Sequence, residues 1–347
     1  MSSKRDADDE PDRVEGQDHP RETYDLIGQD LALERAARAV RSGRPPQAWL
    51  IAGPPGIGKA TLAYRIARYL LRYGATGEGP ADLAVPRNDP VSRQIEAEAH
   101  PGLLVVKRRR DDKGKLKTVI NVDELRRLSP FFGLTSGAGG WRVAIVDPAD
   151  EMNDNAANAL LKILEEPPPR GILLLVSHAP GRLLSTIRSR CQRLDLKPLD
   201  ESLVASTLAR LLPDASADER SALARLSEGS LGLALRLGGE EGLKLARDAE
   251  SLLDVRGAPD VAQILALAER IARAQDGLDH FGEFLAHALS RRIRVRAQAG
   301  QADGRAVALW EELHALYERA VGVHMEPRQT VISSALKIAE ARRRGAI

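Results

Sequence analysis

The sequence predicts an α/β domain built on a mainly parallel sheet, followed by helical modules. Three observations carry this. Short apolar runs at 48–52, 103–106, 142–146 and 171–177 alternate with stretches whose apolar residues recur at helical spacing. The run Gly171-Ile172-Leu173-Leu174-Leu175-Val176-Ser177 is continuous rather than alternating, which suits a strand covered on both faces. After Pro198 nothing further reads as a strand.

In chain order, residues 1–22 are polar, acidic and aperiodic. They predict a disordered tail, with too little apolar surface to offset the entropy of ordering. Leu26-Ile27-Gly28-Gln29 opens the ordered part, and a helix over 31–40 is broken by Ser42-Gly43-Arg44-Pro45-Pro46. The strand 48–52 runs into Gly53-Pro54-Pro55-Gly56-Ile57-Gly58-Lys59-Ala60-Thr61 and a helix over 62–71. Residues 74–90 are rich in Gly and Pro and read as loop; a short helix follows over 90–98. The strand 103–106 leads to the basic stretch 107–115, read as a charged hairpin tip with 116–120 returning. Helical spacing resumes over 122–131, Gly137-Ala138-Gly139-Gly140 is a turn, and 142–147 is a strand ending in a carboxylate. Asn153 or Asp154 can cap a helix whose Ala157, Leu160, Leu161 and Leu164 form one stripe; Pro167-Pro168-Pro169 ends it. The strand 171–177, a short helix over 180–189 and a strand over 192–196 complete the alternation. Residues 200–237 predict a small helical unit with turns at Pro213-Asp214 and Gly229-Ser230, and 259–342 several amphipathic helices.

Charge and cysteine content narrow the function classes. A net charge of +2 leaves only local patches to attract a polyanion. No apolar run approaches the roughly 18 residues a membrane span needs. The start Met1-Ser2-Ser3-Lys4-Arg5 has no apolar signal core, so no membrane contact and a cytoplasmic location are expected. The one cysteine, Cys191, excludes an internal disulfide and a cysteine-clustered zinc site, and the seven histidines show no metal spacing.

The spacing Gly53-x-x-x-x-Gly58-Lys59 between a strand and a helix is the phosphate-binding loop pattern. Its glycines let successive N–H groups curl towards phosphate oxygens, and the helix start and Lys59 add positive charge. The bland alternative is a glycine-rich turn joining two elements. Ala60 stands where a Ser or Thr hydroxyl would hold Mg²⁺, and Thr61 is expected to point elsewhere. Asp147 ends a strand, the place of a second magnesium-associated carboxylate, or it simply caps that strand. Pro148 replaces the glutamate that would orient an attacking water. Ser189-Arg190-Cys191 lies between a helix and a strand; on its own it reads first as a surface ion pair. An arginine fixed there can also be presented to a neighbouring subunit, its planar guanidinium matching the charge on phosphate oxygens. The basic runs 107–117 and 291–296 allow a third reading, nucleic-acid binding; solvated surface is the simpler one.

Together these residues resemble the bacterial clamp-loader branch of the AAA+ family, whose subunits serve DNA polymerase III. The resemblance rests on Leu26-Ile27-Gly28-Gln29, on residues 48–59, on Asn155-Ala156-Ala157-Asn158-Ala159-Leu160-Leu161-Lys162-Ile163-Leu164-Glu165-Glu166-Pro167-Pro168, and on Ser189-Arg190-Cys191. It covers 24–237 well and the helical remainder loosely. It implies an AAA+ P-loop domain at 23–198, a helical lid at 199–240 and a helical collar for oligomerisation at 241–347. Family motor subunits carry a complete phosphate loop, an Asp-Glu pair and a lid arginine after a Gly-Ser. Here Ala60, Pro148 and Gly232 stand in those places, which fits the non-motor role. Family members often have a four-cysteine zinc module; residues 74–100 contain no cysteine. The resemblance further implies a hetero-pentamer with motor subunits and a delta subunit, acting on a sliding clamp and primed DNA. In it Arg190 serves ATP on an adjacent motor subunit, positioned by Ser189 and Cys191, the latter a packed residue rather than a nucleophile. The chain's own loop, Gly53 to Thr61 with Asp147, is then degenerate, holding ATP or ADP with Mg²⁺ weakly if at all, with little ATPase activity and no polymerase site. The competing reading is a self-sufficient ATPase motor.

Overall fold

The computed structural model describes residues 17–110, 117–133, 140–238, 240–254, 260–274, 277–301, 303–323 and 325–347. Its strands are β1 (Ala48–Ala52), β2 (Leu103–Val106), β3 (Arg142–Val146), β4 (Gly171–Ser177) and β5 (Gln192–Asp195). They form one sheet in the order β2-β3-β4-β1-β5. Every pair is parallel, with Leu50 level with Leu175 on one side and Arg193 on the other. β1 and β4 are buried along their whole length because both faces are covered.

The covering helices are α1 (Asp30–Val40), α2 (Lys59–Tyr73), α3 (Pro90–Glu96), α4 (Val122–Arg126), α5 (Leu128–Gly133), α6 (Asp154–Glu165) and α7 (Ser185–Arg188). Successive strand residues point to opposite faces. Trp49, Ile51, Ile145, Leu174 and Val176 meet α1 and α2, whereas Leu50, Val146, Leu173 and Leu175 meet α4, α6 and α7. Of the stripe expected on α6, Ala157 and Leu160 are buried and Leu161 and Leu164 partly so, Ala156 joins them, and Asn153 caps that helix by accepting from the Ala156 N–H.

Four local expectations change. The helix expected over 62–71 begins at Lys59, because Gly58 adopts the left-handed conformation and ends the loop there. The single helix over 122–131 divides into α4 and α5; Pro130 lacks the N–H that would continue α4. The helix over 180–189 becomes a 3₁₀ turn, Pro180–Arg182, then α7, because Leu183 is extended and drops its side chain into the core. The return arm of the hairpin comes back beside Arg109, whose carbonyl accepts from the Lys117 N–H, but Ile120 then pairs with Met152 and not with β2. Part of that tip, 111–116, and part of the turn at 137–140 lie outside the described residues.

The tail expected over 1–22 ends sooner. Residues 1–16 lie outside the described residues, but 17–22 are packed. His19 is buried with its ring edge-on to Tyr64. Arg21 Nε donates to the Glu96 carbonyl at 3.0 Å. Arg68, only 2% exposed, donates to the Arg21 carbonyl and stacks 4.2 Å above the Tyr24 ring. Arg65 donates to the Tyr24 carbonyl at 2.9 Å. These contacts strap the segment before Asp25 across α2 and α3. The stretch 74–89 is likewise held in place, by burial of Leu83 and Val85 and by the pairs Arg65–Asp82 and Arg72–Asp89.

The chain divides into two compact units, one ending at Arg236 and one running Leu237–Ile347. The first includes α8 (Glu201–Leu211), α9 (Ala217–Leu226) and α10 (Leu231–Leu237), the helices expected to form the lid. The second is helical among the described residues: α11 (Glu240–Asp254), α12 (Val261–Arg273), α13 (Gly277–Gln298), α14 (Gly304–Val323) and α15 (Pro327–Arg343). In it α13 packs on α11 and α14, and α15 on α12 and α14. Phe281, Leu285, Leu289, Tyr317 and Ile338 are buried there, and the Tyr317 and Ser334 hydroxyls are hydrogen-bonded at 3.0 Å.

The strap depends on the buried Arg68. Arg68→Ala is expected to destabilise the first unit by about 2–4 kcal/mol, the range for losing a buried, partnered charge. Limited proteolysis should then cut between residues 17 and 25 before the sheet unfolds; unchanged cleavage there would contradict the strap.

Candidate functional site

The phosphate loop leaves the C-terminal end of β1, where open parallel sheets place their ligands. Gly56 and Gly58 have φ of 72° and 97°, and α2 starts immediately after. No side chain fits at Gly56: an added Cβ would collide with Ser230 Oγ and lie 3.1 Å from the Gly232 Cα. The start of α10 rests directly on the loop. The Gly232 N–H donates to the Gly56 carbonyl at 2.8 Å, and Ser230 Oγ donates to the Pro55 carbonyl at 2.9 Å. Both bonds use loop carbonyls, so the N–H groups of the loop are not consumed by them.

Lys59 is 3% exposed, and its ammonium donates to the Pro54 carbonyl at 2.5 Å. Burial pushes it down to about 8, against the pull of Asp147 and Asp150. Asp147, buried at the end of β3, and Asp150, whose carboxylate accepts from the His178 N–H at 2.8 Å, are therefore close enough to act on the ammonium. Leu26, Lys59, Arg108, Asp147, His178 and Arg236 line a cleft of about 850 Å³. Desolvation in the cleft, then the Lys59 charge, push the His178 imidazole down, although the residue as a whole is exposed to solvent.

Two observations add to the expectations. Thr61 lines the same cleft as Ala60, because both lie in the first turn of α2 at its mouth. The lid does bring an arginine to the cleft: Arg236 follows Gly232 by four residues and shares its face of α10. Sequence reasoning missed Arg108, His178 and Arg236; the i,i+4 spacing from Gly232 was the available signal for the last. The loop, helix start and Lys59 fit a phosphate group. The magnesium half does not fit, since Ala60 offers only a methyl group.

The basic runs are largely engaged within the chain. Arg108 pairs with Glu151 at 2.6 Å, Arg109 with Glu124 at 2.8 Å and Lys107 with Glu98 at 3.6 Å. Arg291 and Arg292 both pair with Glu250, at 2.5 and 3.1 Å. These pairs weaken the nucleic-acid reading.

Ser189-Arg190-Cys191 lies far from the loop. Trp49 is level with Gln192 in the parallel β1–β5 pair, so Arg190 is beside the start of β1 and Gly53 beyond its end. At about 3.3 Å per residue, that is roughly 15–20 Å of strand. Arg190 and Ser189 Oγ both donate to the Thr186 carbonyl, at 3.1 and 3.2 Å. The surface ion pair also exists: Arg190 Nη2 meets Glu165 Oε1 at 3.0 Å. Burial pushes the Cys191 thiol up to about 11, so it stays protonated beside the core.

Among protein families, the one described as "DNA polymerase III, delta subunit" matches residues 28–200, about half of the chain, from the strap's end to the start of α8. The chain belongs to this family. The DNA polymerase III subunit delta' of Pseudomonas aeruginosa is 40% identical over 56% of this chain and 56% of its own length. Its counterpart in Escherichia coli is 34% identical over 59% and 58%. The subunit tau of Escherichia coli is 29% identical over 89% of this chain but 45% of its own length. The chain thus spans little more than half the length of these two delta' relatives. The family match contains the phosphate loop, Asp147 and Ser189-Arg190-Cys191, the sites described above.

Lys59 has a folded-state value near 8 against 10.5 for the free side chain, so between these the unfolded chain binds more protons and stability rises with pH. At pH 7 the charged, buried amine is a net cost. Lys59→Met should raise stability at pH 7 by about 1–3 kcal/mol, with the gain shrinking as pH climbs from about 8 towards 10.5. Urea denaturation at pH 7 and pH 10 reads this; a loss of stability at pH 7 would contradict the burial cost.

Proposed function

We propose that this chain is a non-motor subunit of the DNA polymerase III clamp loader, donating Arg190 to ATP bound on a neighbouring motor subunit. One observation carries the reading. Arg190 is at the N-terminal end of the parallel strands, whereas the chain's own phosphate loop is at their C-terminal end. An exposed arginine there cannot reach its own loop and is available to another subunit's phosphates. The family match and the delta' relatives support the same assignment.

In this role the chain is the fixed end of a hetero-pentamer with motor subunits and a delta subunit, in the cytoplasm. The helical second unit serves as its oligomerising collar. Hydrolysis next door lets the assembly release a closed sliding clamp on primed DNA. Arg190 neutralises charge on the transferring phosphoryl group. Ser189 shares its carbonyl anchor, and Cys191, protonated and packed, fixes the backbone. The chain's own loop takes a phosphate-bearing ligand weakly at most and turns over little, because Ala60 and Pro148 supply neither metal ligand nor water-orienting carboxylate.

The buried Lys59 in a curled loop favours a second reading, a self-sufficient ATPase motor. The two readings separate in a loader reconstituted with its partner subunits. Arg190→Ala in this chain should lower clamp-dependent ATPase at least tenfold, as loss of a trans arginine does. Lys59→Ala should leave it nearly unchanged. The opposite pattern would establish the motor reading.

A further inference from the structure

The Arg190 guanidinium is aimed by groups of its own chain. Glu165 closes α6, and Glu166 follows it. The end of a helix carries partial negative charge, so a carboxylate there is electrostatically misplaced unless a cation compensates it. The only basic residue in the last turn is Lys162. The compensating cation comes from 25 residues further on: Arg190 Nη2 donates to Glu165 Oε1 at 3.0 Å. Arg190 Nη1 donates to the Thr186 carbonyl at 3.1 Å. Both arms of the guanidinium are thus held, by groups from two different elements. Pro167 and Pro168 follow the two glutamates, stiffen the exit of α6 and wall a groove of about 390 Å³ that also includes Arg190.

Resting on the arginine-finger reading, we propose that Glu165 is the positioning residue for Arg190. A guanidinium has five N–H donors, and two are engaged here, so three remain for phosphate oxygens. The pair is open to water, with the Arg190 and Glu165 side chains 38% and 53% exposed. Such a pair is weak. It selects a direction for a long, flexible side chain without competing seriously with a phosphate. Part of the rotamer entropy that a free arginine would lose at the moment of reaction is already lost. Glu165 therefore acts through Arg190 and touches no substrate.

The test uses the reconstituted loader with single and double variants of this chain. Glu165→Ala should lower kcat for clamp-dependent ATP hydrolysis roughly three- to tenfold with KM for ATP unchanged, as loss of pre-organisation does. Glu165→Gln, whose amide oxygen can accept from the same N–H, should retain most of the rate. Glu165→Ala combined with Arg190→Ala should be no slower than Arg190→Ala alone. A wild-type rate for Glu165→Ala, or a further loss in the double variant, would overturn the positioning role while leaving the finger intact. A wild-type rate for Arg190→Ala would overturn the arginine-finger reading and this inference with it.

Discussion

The parallel pairing of β1 with β5 determines where each piece of chemistry can sit. Because the two strands run in the same direction, the segment entering β5 emerges beside the start of β1, and the phosphate loop emerges beyond its end. No side-chain choice can bring Arg190 to the chain's own loop while that pairing holds. The pairing is itself fixed by burial. β1 lies between β4 and β5, and its residues alternate between two separate apolar clusters. Slipping it by one residue would exchange Trp49 and Leu50 between clusters built for different shapes. The division between a local loop and an outward-facing arginine is therefore a property of the sheet.

The loop has the backbone curl that a phosphate group would fit, and no hydroxyl at position 60 for a metal. The start of α10 lies against it through Gly232 and Ser230, and bonds to the Gly56 and Pro55 carbonyls tie the two together. That close approach requires the missing side chain at position 232, so the residue that removes one arginine also creates the contact. Arg236 restores a positive charge to the cleft from the next turn. Lys59 stays buried although burial disfavours its charge. A cation kept under such conditions is a common mark of a binding position. Ala60 offers a methyl group where metal-assisted hydrolysis would need a hydroxyl.

Much of this was legible in the sequence, and what was not has identifiable physical causes. Strands buried on both faces announce themselves as continuous apolar runs, so β1 and β4 were clear. Asn153, as a helix cap, was readable from its side chain alone. The strap at 17–22 was not, because its order comes from partners more than 40 positions away: Arg68 on the Arg21 carbonyl, the Glu96 carbonyl on the Arg21 side chain and Tyr64 on His19. Pro130 is a breaker visible in the sequence itself, whereas the extended Leu183 answers to the core beneath it. In the cleft, Lys59 and Asp147 carry motif signals. Arg108 and His178 carry none, and only the fold brings them there. The ion pairs of 107–109 and 291–292 use carboxylates scattered from Glu98 to Asp254, which no local pattern reveals.

The central claim is that Arg190 serves a nucleotide bound to another subunit. It is tested most directly by a structure of the chain in its reconstituted assembly, with a nonhydrolysable or transition-state ATP analogue on the motor subunits. The account predicts the Arg190 guanidinium within about 3 Å of a terminal phosphate oxygen on the adjacent subunit, the distance of a charge-assisted hydrogen bond. Arg190 remaining on Glu165, with no nucleotide within reach, would contradict it.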